Sequence, residues 1–320
     1  MTASDQTRAI VVRTGAPERL AIQPAKLAPA LPHEVTVRVT TISLNRGEVK
    51  RAMTVAEDGW RPGWDFVGIV EETAKSGEGP PAGARVVGML SAGAWAERIR
   101  APAHAVAALP KAVSNAQAAT LPVAGLTALH ALRKGGLLLG RKVLVDGASG
   151  GVGHLAVQLA KASGATVYGH IRREALRAIV EQSCNGGVIV APTLEGARAS
   201  GPYDVILDSV GGATLASAMT MLGKAGTCIT FGISEAPTST FESGNFFRIG
   251  GARLYGLILF DELARVEPAS VGLALLAGLV ERKVLVPRID VEAPWTDIAK
   301  VAQQLMDRTY SGKAVLHVSE

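Results

Sequence analysis

The first third of the chain is a series of short apolar runs, most of them rich in Val and Ile and separated by polar and turn-forming residues. Between residues 8 and 110 the runs are RAIVVRT, EVTVRVTTISL, DFVGIVEET, ARVVGML and AWAERIRAP. Runs of this length, bounded by Pro, Gly and Asp, are typical of β-strands. The pattern predicts a β-rich region built as a sheet sandwich or a partial barrel.

Near residue 115 the pattern changes, and helical periodicity begins to alternate with short apolar runs. The segment 114–134 predicts a helix start, a Pro-containing break and a second helix. The predicted elements that follow are strand 142–148, helix 151–164, strand 165–171, helix 173–183, strand 186–191, strand 203–210, helix 212–226 and strand 226–233. Such alternation is typical of an α/β fold with a doubly wound parallel sheet.

The rest of the chain carries two more helical patterns, over 268–284 and 295–312, and a final strand over 313–318. Two segments, 46–62 and 234–256, lack a clear period. We therefore predict irregular loops there.

Composition narrows the function classes without selecting one. The chain has 320 residues, 48% apolar and 19% charged, which is ordinary for a globular protein of one large or two medium domains. Its net charge is +5, but no dense Lys/Arg tract with interleaved aromatics is present, so nucleic-acid binding is not expected. Because the N-terminus is polar, no signal peptide is predicted, and because no long uncharged apolar run is present, no membrane span is predicted. The expected location is therefore the cytoplasm.

The most informative motif is a glycine-rich turn between a predicted strand and a predicted helix, Ala148-Ser149-Gly150-Gly151-Val152-Gly153. It differs from GxGxxG only in its first position, which Ala148 occupies. A small residue permits the tight turn, Gly150 allows a pyrophosphate to approach the backbone, and Gly153 allows close helix–strand packing. Residues 149–153 are predicted to line a dinucleotide pyrophosphate; the alternative is that these glycines serve packing alone.

The end of the following strand indicates which dinucleotide. In NAD sites an acidic residue about 20 positions after the glycines binds the ribose 2′-hydroxyl. Here Arg172 and Arg173 stand at that point, after His170 and Ile171. A guanidinium binds a 2′-phosphate that a carboxylate would repel, so the prediction is NADP(H). Alternatively, either arginine is a solvated residue at the start of the next helix.

Five segments in order resemble the medium-chain dehydrogenase/reductases, in particular their zinc-independent, quinone oxidoreductase-like branch. The segments are RPGWDFVGIV, ASGGVGHLAVQLAKASGATV, YDVILDSVGGATL, GTCITFG and YSGKAVLHV. The resemblance implies a GroES-like domain over 1–122, a Rossmann NADP-binding domain over 123–260, and a return of 261–320 to the first domain. It also implies a homodimer or higher homo-oligomer.

The same resemblance implies that zinc is absent. Zinc-dependent relatives place a Cys after an early strand and a His-Glu pair after a Gly. Here the corresponding segments carry Ser43 and Asn45, then Gly63-Trp64-Asp65. With only two cysteines, Cys184 and Cys228, a four-Cys zinc site cannot form either. No metal site is predicted.

The resemblance also implies roles for individual residues. Asn45 is expected to bind a substrate oxygen or the nicotinamide ribose, or else to cap a loop, and Thr127 to face the nicotinamide amide, or else to bond locally. The other residues expected at the cofactor are Ser209 and Val210 at the adenine ribose, and Phe231, Gly232, Leu257 and Leu259 on the nicotinamide side, the two leucines being equally compatible with plain core. Asp208 is expected to cap a turn, and Lys313 to be structural.

These residues predict an NADPH-dependent oxidoreductase that transfers hydride to a quinone or to the activated C=C bond of an enone. One alternative within the family is an enoyl-thioester reductase, because ISLNRGEV resembles the enoylreductase modules of polyketide synthases. Another, of a different class, is an NADPH-binding protein with a structural or regulatory role and little turnover.

Overall fold

The first part of the chain is rich in strands, and the part that follows alternates between strands and helices, as the hydrophobic pattern predicts. A computed structural model describes residues 6–318. The strands are β1 (Gln6–Val12), β2 (Leu20–Lys26), β3 (Glu34–Ser43), β4 (Asp65–Glu72), β5 (Arg85–Met89), β6 (Arg98–Pro102), β7 (Val106–Ala108), β8 (Lys142–Asp146), β9 (Thr166–Ile171), β10 (Gly187–Val190), β11 (Tyr203–Asp208), β12 (Leu222–Thr230), β13 (Arg253–Gly256), β14 (Ile289–Pro294) and β15 (Lys313–His317).

The helices follow the strands in chain order. They are α1 (Arg46–Thr54), α2 (Asn115–Ala119), α3 (Leu126–Lys134), α4 (Gly153–Ala162), α5 (Arg177–Glu181), α6 (Gly212–Thr220), α7 (Ser243–Ile249), α8 (Leu259–Arg265), α9 (Ala269–Glu281) and α10 (Ile298–Met306). A π-helical turn, Leu121–Gly125, joins α2 to α3. The chain divides into two units: unit 2 is Thr127–Glu262, and unit 1 is the chain up to Leu126 together with the chain from Leu263. The sequence predicts these boundaries at 122 and 260.

Unit 1 is built on a seven-stranded sheet. Its strand order is β14-β15-β3-β4-β5-β7, β6 pairs with β3, and β1 and β2 form a separate antiparallel pair. Alternate residues of these strands enter one apolar core, in which Phe66, Ile42 and Trp95 are fully buried. The last strand of the chain, β15, pairs antiparallel with β3, so Val315 lies beside Ser43. This pairing brings Lys313 close to the end of β3.

Unit 2 contains a six-stranded parallel sheet of order β10-β9-β8-β11-β12-β13. Because every strand is parallel, their carboxyl ends meet at one edge, where ligands of such sheets bind. Leu144, Ile206 and Tyr203 are fully buried members of one apolar core cluster in this unit. The predicted fold class, α/β with a doubly wound parallel sheet beside a β-rich domain, is confirmed.

Several element predictions were wrong, each for a local reason. The 46–62 segment is not irregular, because residues 46–54 form α1; the 234–256 segment likewise contains α7 and β13. β2 was missed because Pro24 breaks its apolar run, yet Pro is tolerated in a two-stranded pair. The helix predicted to extend to residue 226 ends at Thr220, because residues 222–230 pair with β11 instead.

Within residues 6–318 no single helix is long and apolar enough to cross a membrane. The pair α8 and α9 passes the same test of length and composition together, although the two helices are bent by 109°.

Candidate functional site

The glycine turn at the carboxyl end of β8 is closed by tight backbone contacts. Gly147 has φ +68°, in the left-handed region. A Cβ at Gly153 would lie only 2.1 Å from the carbonyl oxygen of Gly147, so no other residue fits without a backbone shift. The Gly150 N–H donates to the same carbonyl at 2.9 Å. These contacts hold the first turn of α4 against the end of β8.

This geometry fits a dinucleotide pyrophosphate. The turn opens a helix of ten residues, whose first N–H groups have no acceptor within the helix itself and attract anions. Gly150, Gly151 and Val152 are half-buried, and Ser149 is almost fully buried. Main-chain atoms are therefore the groups that this turn offers to a ligand, which is what a pyrophosphate requires.

The segments after β11 and β12 lie beside the glycine turn. A Cβ at Gly147 would lie 3.3 Å from the Ser209 hydroxyl, and one at Gly232 would lie 2.5 Å from the Ser209 carbonyl oxygen. Ser209, Val210, Phe231 and Gly232 are each half-buried. The structure thus brings four of the predicted cofactor residues to the same sheet edge as the turn; their contacts with a cofactor stay a prediction.

Asp208 binds main-chain N–H groups of the turn that follows β11, so its expected role as a turn cap is confirmed. Its carboxylate accepts the main-chain N–H groups of Val210 and Gly211 at 3.2 Å and the Thr230 hydroxyl at 2.8 Å. Burial raises the pKa of the Asp208 carboxyl, while these donors oppose that rise. The side chain is fully buried, and its hydrogen bond from Thr230 joins the end of β11 to the end of β12.

Arg172 and Arg173 lie where β9 leaves the sheet, and both are exposed. Glu174, the nearest acid in sequence, is bound by the Arg177 guanidinium at 2.5 Å. Within residues 6–318 Arg172 makes no hydrogen bond or ion pair, so its guanidinium is available to an anion. The carbonyl oxygen of Arg173 accepts the Leu176 N–H, which agrees with a residue that opens the next helical turn.

Three of the residues predicted on the nicotinamide side, Thr127, Leu257 and Leu259, are buried within unit 2. Thr127 is the second residue of α3 and is 6% exposed. Leu257 and Leu259 flank the exposed Ile258, and the Leu257 N–H donates to the Thr230 carbonyl oxygen at 2.9 Å. This burial fits the core interpretation of both leucines, and their contact with nicotinamide remains a prediction.

Asn45 belongs to a buried polar network in unit 1. Its amide nitrogen donates to Glu48 Oε1 at 2.9 Å and to Asp65 Oδ2 at 2.8 Å, and its amide oxygen accepts from Lys313 Nζ at 2.7 Å. The Ser43 hydroxyl also donates to Asp65, at 2.6 Å. Both amide hydrogens of Asn45 are thus engaged by carboxylates. A substrate oxygen could take one of these hydrogens only by displacing Glu48 or Asp65.

The two carboxyl groups of the network, those of Asp65 and Glu48, differ in their partners. Lys313 Nζ lies 3.2 Å from Asp65 Oδ2, with both side chains 3% exposed or less, and this buried pair matches the structural role expected for Lys313. Glu48 has no cation of its own, and its Oε2 has no hydrogen-bond partner within the described residues. Burial raises the pKa of the Glu48 carboxyl well above its usual range, and the Asp65 carboxylate adds to the rise. Burial therefore favours the protonated form of Glu48 over the ionised form.

Sequence reasoning missed Glu48 and Asp65, although a signal for Glu48 was present. Asn45 followed three residues later by Glu48 is the spacing of a helix N-terminus at which the acid binds the cap residue. The structure shows this contact, in which the Asn45 main-chain N–H donates to Glu48 Oε1 at 3.0 Å. Asp65 could be found only through the pairing of β3 with β4, which sets it beside Ser43.

In residues 6–318 no group of three or more His, Cys, Asp or Glu side chains is arranged to hold a metal ion. Cys184 and Cys228 are both buried thiols that form no disulfide. Burial raises the pKa of Cys184 to about 12 and that of Cys228 well above its usual range, so neither is a reactive thiolate.

A parallel sheet with a glycine-rich turn at its carboxyl edge, in one chain with a β-rich unit, is typical of nicotinamide-dependent dehydrogenases and reductases. Comparison with known proteins agrees. Residues 31–111 match the family described as alcohol dehydrogenase GroES-like domain, and residues 151–272 match the family described as zinc-binding dehydrogenase. Together these matches span more than half of the chain. The chain belongs to the medium-chain dehydrogenase/reductase family and is similar to its quinone oxidoreductases.

Individual relatives are more distant. The chain is 30% identical over 305 residues to a mycocerosic acid synthase-like polyketide synthase of Mycobacterium tuberculosis, which covers 91% of this chain but only 14% of the synthase. The fold matches the quinone oxidoreductase of Coxiella burnetii with a TM-score of 0.82 and 24% identity, over 98% of this chain and 100% of that one. It matches CurK enoyl reductase with a TM-score of 0.82 and 21% identity, over 98% and 99% of the two chains.

Proposed function

We propose that this chain is an NADPH-dependent reductase that transfers hydride to a quinone or to the activated C=C bond of an enone, without a zinc ion. The observation that supports NADPH most strongly is Arg172, an exposed guanidinium with no acid partner in residues 6–318, at the end of β9. A carboxylate at this point would favour NAD, whereas a guanidinium fork complements a 2′-phosphate.

The residues present fit that cofactor. The turn 149–153 would hold the pyrophosphate, Arg172 with Arg173 the 2′-phosphate, and Ser209 with Val210 the adenine ribose. Phe231 and Gly232 would border the nicotinamide side, together with Thr127, Leu257 and Leu259. When bound, NADPH supplies the hydride of the reduction, and the protein contributes placement and exclusion of water.

The network around Asn45 supports a positioning role for that residue. Its amide cannot rotate without breaking bonds to Glu48, Asp65 and Lys313, so the start of α1 is held in one arrangement. We propose that Asn45 orients this segment toward substrate, and that main-chain N–H groups supply the hydrogen bonds to a developing oxyanion.

The same network argues for chemistry without zinc. Zinc in related sites is bound by thiolate and imidazole ligands, and this cluster instead offers an amide, two carboxyl groups and a hydroxyl. Its ammonium group, Lys313 Nζ, already donates to Leu44 O, Asn45 Oδ1 and Asp65 Oδ2. A divalent cation placed among these groups would be repelled by Lys313, so the donor set does not fit zinc.

A second candidate function is the reduction of an enoyl thioester. The observation that favours it is the 30% identity with a polyketide synthase over 91% of this chain. Because the chain spans only 14% of that synthase, the substrate of the synthase does not transfer to this chain.

The test is the initial rate of NADPH loss against a panel of quinones, simple enones and enoyl-CoA thioesters, with NADH in parallel. Turnover of quinones or enones that prefers NADPH supports the proposal. Turnover confined to enoyl-CoA selects the second candidate. NADPH binding without turnover of any acceptor would contradict both, and would favour a binding protein with a structural or regulatory role.

We further propose a homodimer. β13 is the last strand of the parallel sheet, and Arg253, Leu254 and Gly256 on it are exposed. An exposed edge strand with an apolar side chain presents unpaired N–H and C=O groups to a second strand. Sedimentation velocity should give the mass of two chains, about 66 kDa from the 33.1 kDa of one chain. A monomer at micromolar concentration would contradict this.

A further inference from the structure

His170 joins three segments at the edge of the parallel sheet in unit 2. Its ring Nδ1 lies 2.6 Å from Asp146 Oδ1 at the end of β8, and its Nε2 lies 3.0 Å from the carbonyl oxygen of Ala191, just after β10. Its own carbonyl oxygen accepts the Ala148 N–H of the glycine turn at 3.0 Å. The side chain is 3% exposed. His170 is therefore bonded to the glycine turn on one side and to the next strand on the other.

These contacts engage both nitrogens of the ring. A carbonyl oxygen only accepts hydrogen bonds, so Nε2 carries a hydrogen. The other ring nitrogen, Nδ1, faces the Asp146 carboxyl group, so hydrogen bonds hold the ring at both nitrogens. Asp146 Oδ2 has no hydrogen-bond partner within the described residues. Since Asp146 immediately precedes the glycine turn, the His170 side chain connects the start of that turn to the end of β10.

Arg172 depends on the same strand end. It follows His170 by two residues, and within residues 6–318 no side chain restrains its guanidinium. The position of Arg172 relative to the turn is therefore set by the backbone of β9, and His170 ties that backbone to β8 and β10. A dinucleotide with a 2′-phosphate must be bound at both places together, so their spacing matters.

We propose that His170 is a positioning residue for cofactor specificity: by bonding Asp146, Ala148 and Ala191, it sets the distance between Arg172 and the glycine turn, so that 2′-phosphate and pyrophosphate are bound together. This inference rests on the proposed use of NADPH. The buried contact between His170 and Asp146 would then contribute to the preference for NADPH over NADH, together with the exposed Arg172.

The test is a double-substitution cycle read as binding rather than as activity. The dissociation constants of NADPH and NADH are measured by fluorescence titration for wild type, His170→Gln, Arg172→Gln and the double variant. His170→Gln is expected to lower the preference for NADPH over NADH about tenfold, since the two hydrogen bonds of the buried ring are lost. In the Arg172→Gln background the same change should leave the remaining preference unaltered, because His170 acts through Arg172.

Thermal unfolding followed by circular dichroism shows whether each variant is folded. If His170→Gln does not fold, Asp146→Asn takes its place, because it keeps the side-chain shape and changes the carboxyl group that contacts the ring. A preference lowered at least twofold supports the inference. His104→Gln, an exposed histidine in unit 1, is the matched control and should leave both constants unchanged.

An unchanged preference in a folded His170→Gln variant overturns the inference and leaves the NADPH proposal standing. An equal loss in the Arg172→Gln background also overturns it, because His170 would then act independently of the arginine. A wild-type chain that binds NADPH no more tightly than NADH overturns the NADPH proposal itself, and the inference with it.

Discussion

Gly153 is the glycine at which an added methyl group would come closest to a neighbouring atom. A Cβ there would lie 2.1 Å from Gly147 O, 2.8 Å from Gly147 C and 2.9 Å from Ala148 Cα. All three atoms are main chain, so no side chain can rotate away. Relief of the overlap requires a shift of about 1 Å in the glycine turn or in the start of α4, and overpacking of this kind costs about 1–3 kcal/mol.

We expect Gly153→Ala to lower the free energy of unfolding by that amount, and to weaken NADPH binding about tenfold or more. The second effect follows because the displaced atoms are those that would contact the pyrophosphate. Thermal unfolding and fluorescence titration of NADPH measure the two effects, and for a unit of this size each kcal/mol lowers the Tm by roughly 2–4 °C.

Gly278→Ala is the matched control. Gly278 lies within α9, where a Cβ would meet nothing within 4 Å. The substitution should stabilise the protein by about 0.5–1 kcal/mol, because alanine loses less backbone entropy in a helix than glycine does. Wild-type stability and wild-type NADPH affinity in Gly153→Ala would refute the packing argument for the turn.

Further predictions concern the buried network of unit 1. Lys313→Met should lower the free energy of unfolding in urea by about 3–5 kcal/mol, because it leaves Asp65 as an uncompensated buried charge. In the control, Lys300→Met at an exposed position, the free energy of unfolding should change by less than about 0.5 kcal/mol. An equal effect of the two substitutions would contradict the pairing of Lys313 with Asp65. Because burial raises the pKa of Glu48, the folded state holds this proton more tightly than the unfolded chain does. The contribution of Glu48 to the free energy of unfolding is fully present below the ordinary glutamate pKa of 4.5, and it is lost as the pH rises toward the raised pKa. Above pH 4.5, wild type should therefore lose stability relative to Glu48→Gln, by at most about 1.4 kcal/mol per pH unit. Urea unfolding at several pH values checks this, and a pH-independent difference would show that Glu48 is ionised in the folded protein.

The sequence predicted those parts of the fold in which local pattern and tertiary structure agree. The strands of unit 2 are short apolar runs beside amphipathic helices, so their order followed from periodicity. α1 was missed because its residues, RGEVKRAMT, are mostly polar and lack an apolar stripe. The end of α6 was misplaced because residues 222–226 continue the helical composition, and only pairing with β11 makes them a strand.

The candidate site divides in the same way. The glycine turn and Arg172 could be predicted because both follow one strand–turn–helix–strand unit along the chain. The Lys313–Asp65 pair could not, since its two residues are 248 positions apart in sequence and meet only because β15 pairs with β3. The partners of His170 were also missed: Asp146 and Ala191 lie on neighbouring strands, and the sheet order that makes them neighbours is a tertiary property.

The central claim is that Arg172 selects NADPH. The most direct measurement is the dissociation constant of NADPH and of NADH, by fluorescence titration, for wild type and for Arg172→Gln. We expect wild type to bind NADPH at least about tenfold more tightly than NADH, and Arg172→Gln to remove most of this difference while changing NADH binding little. Equal affinities in wild type, or a preference that survives in Arg172→Gln, would contradict this claim.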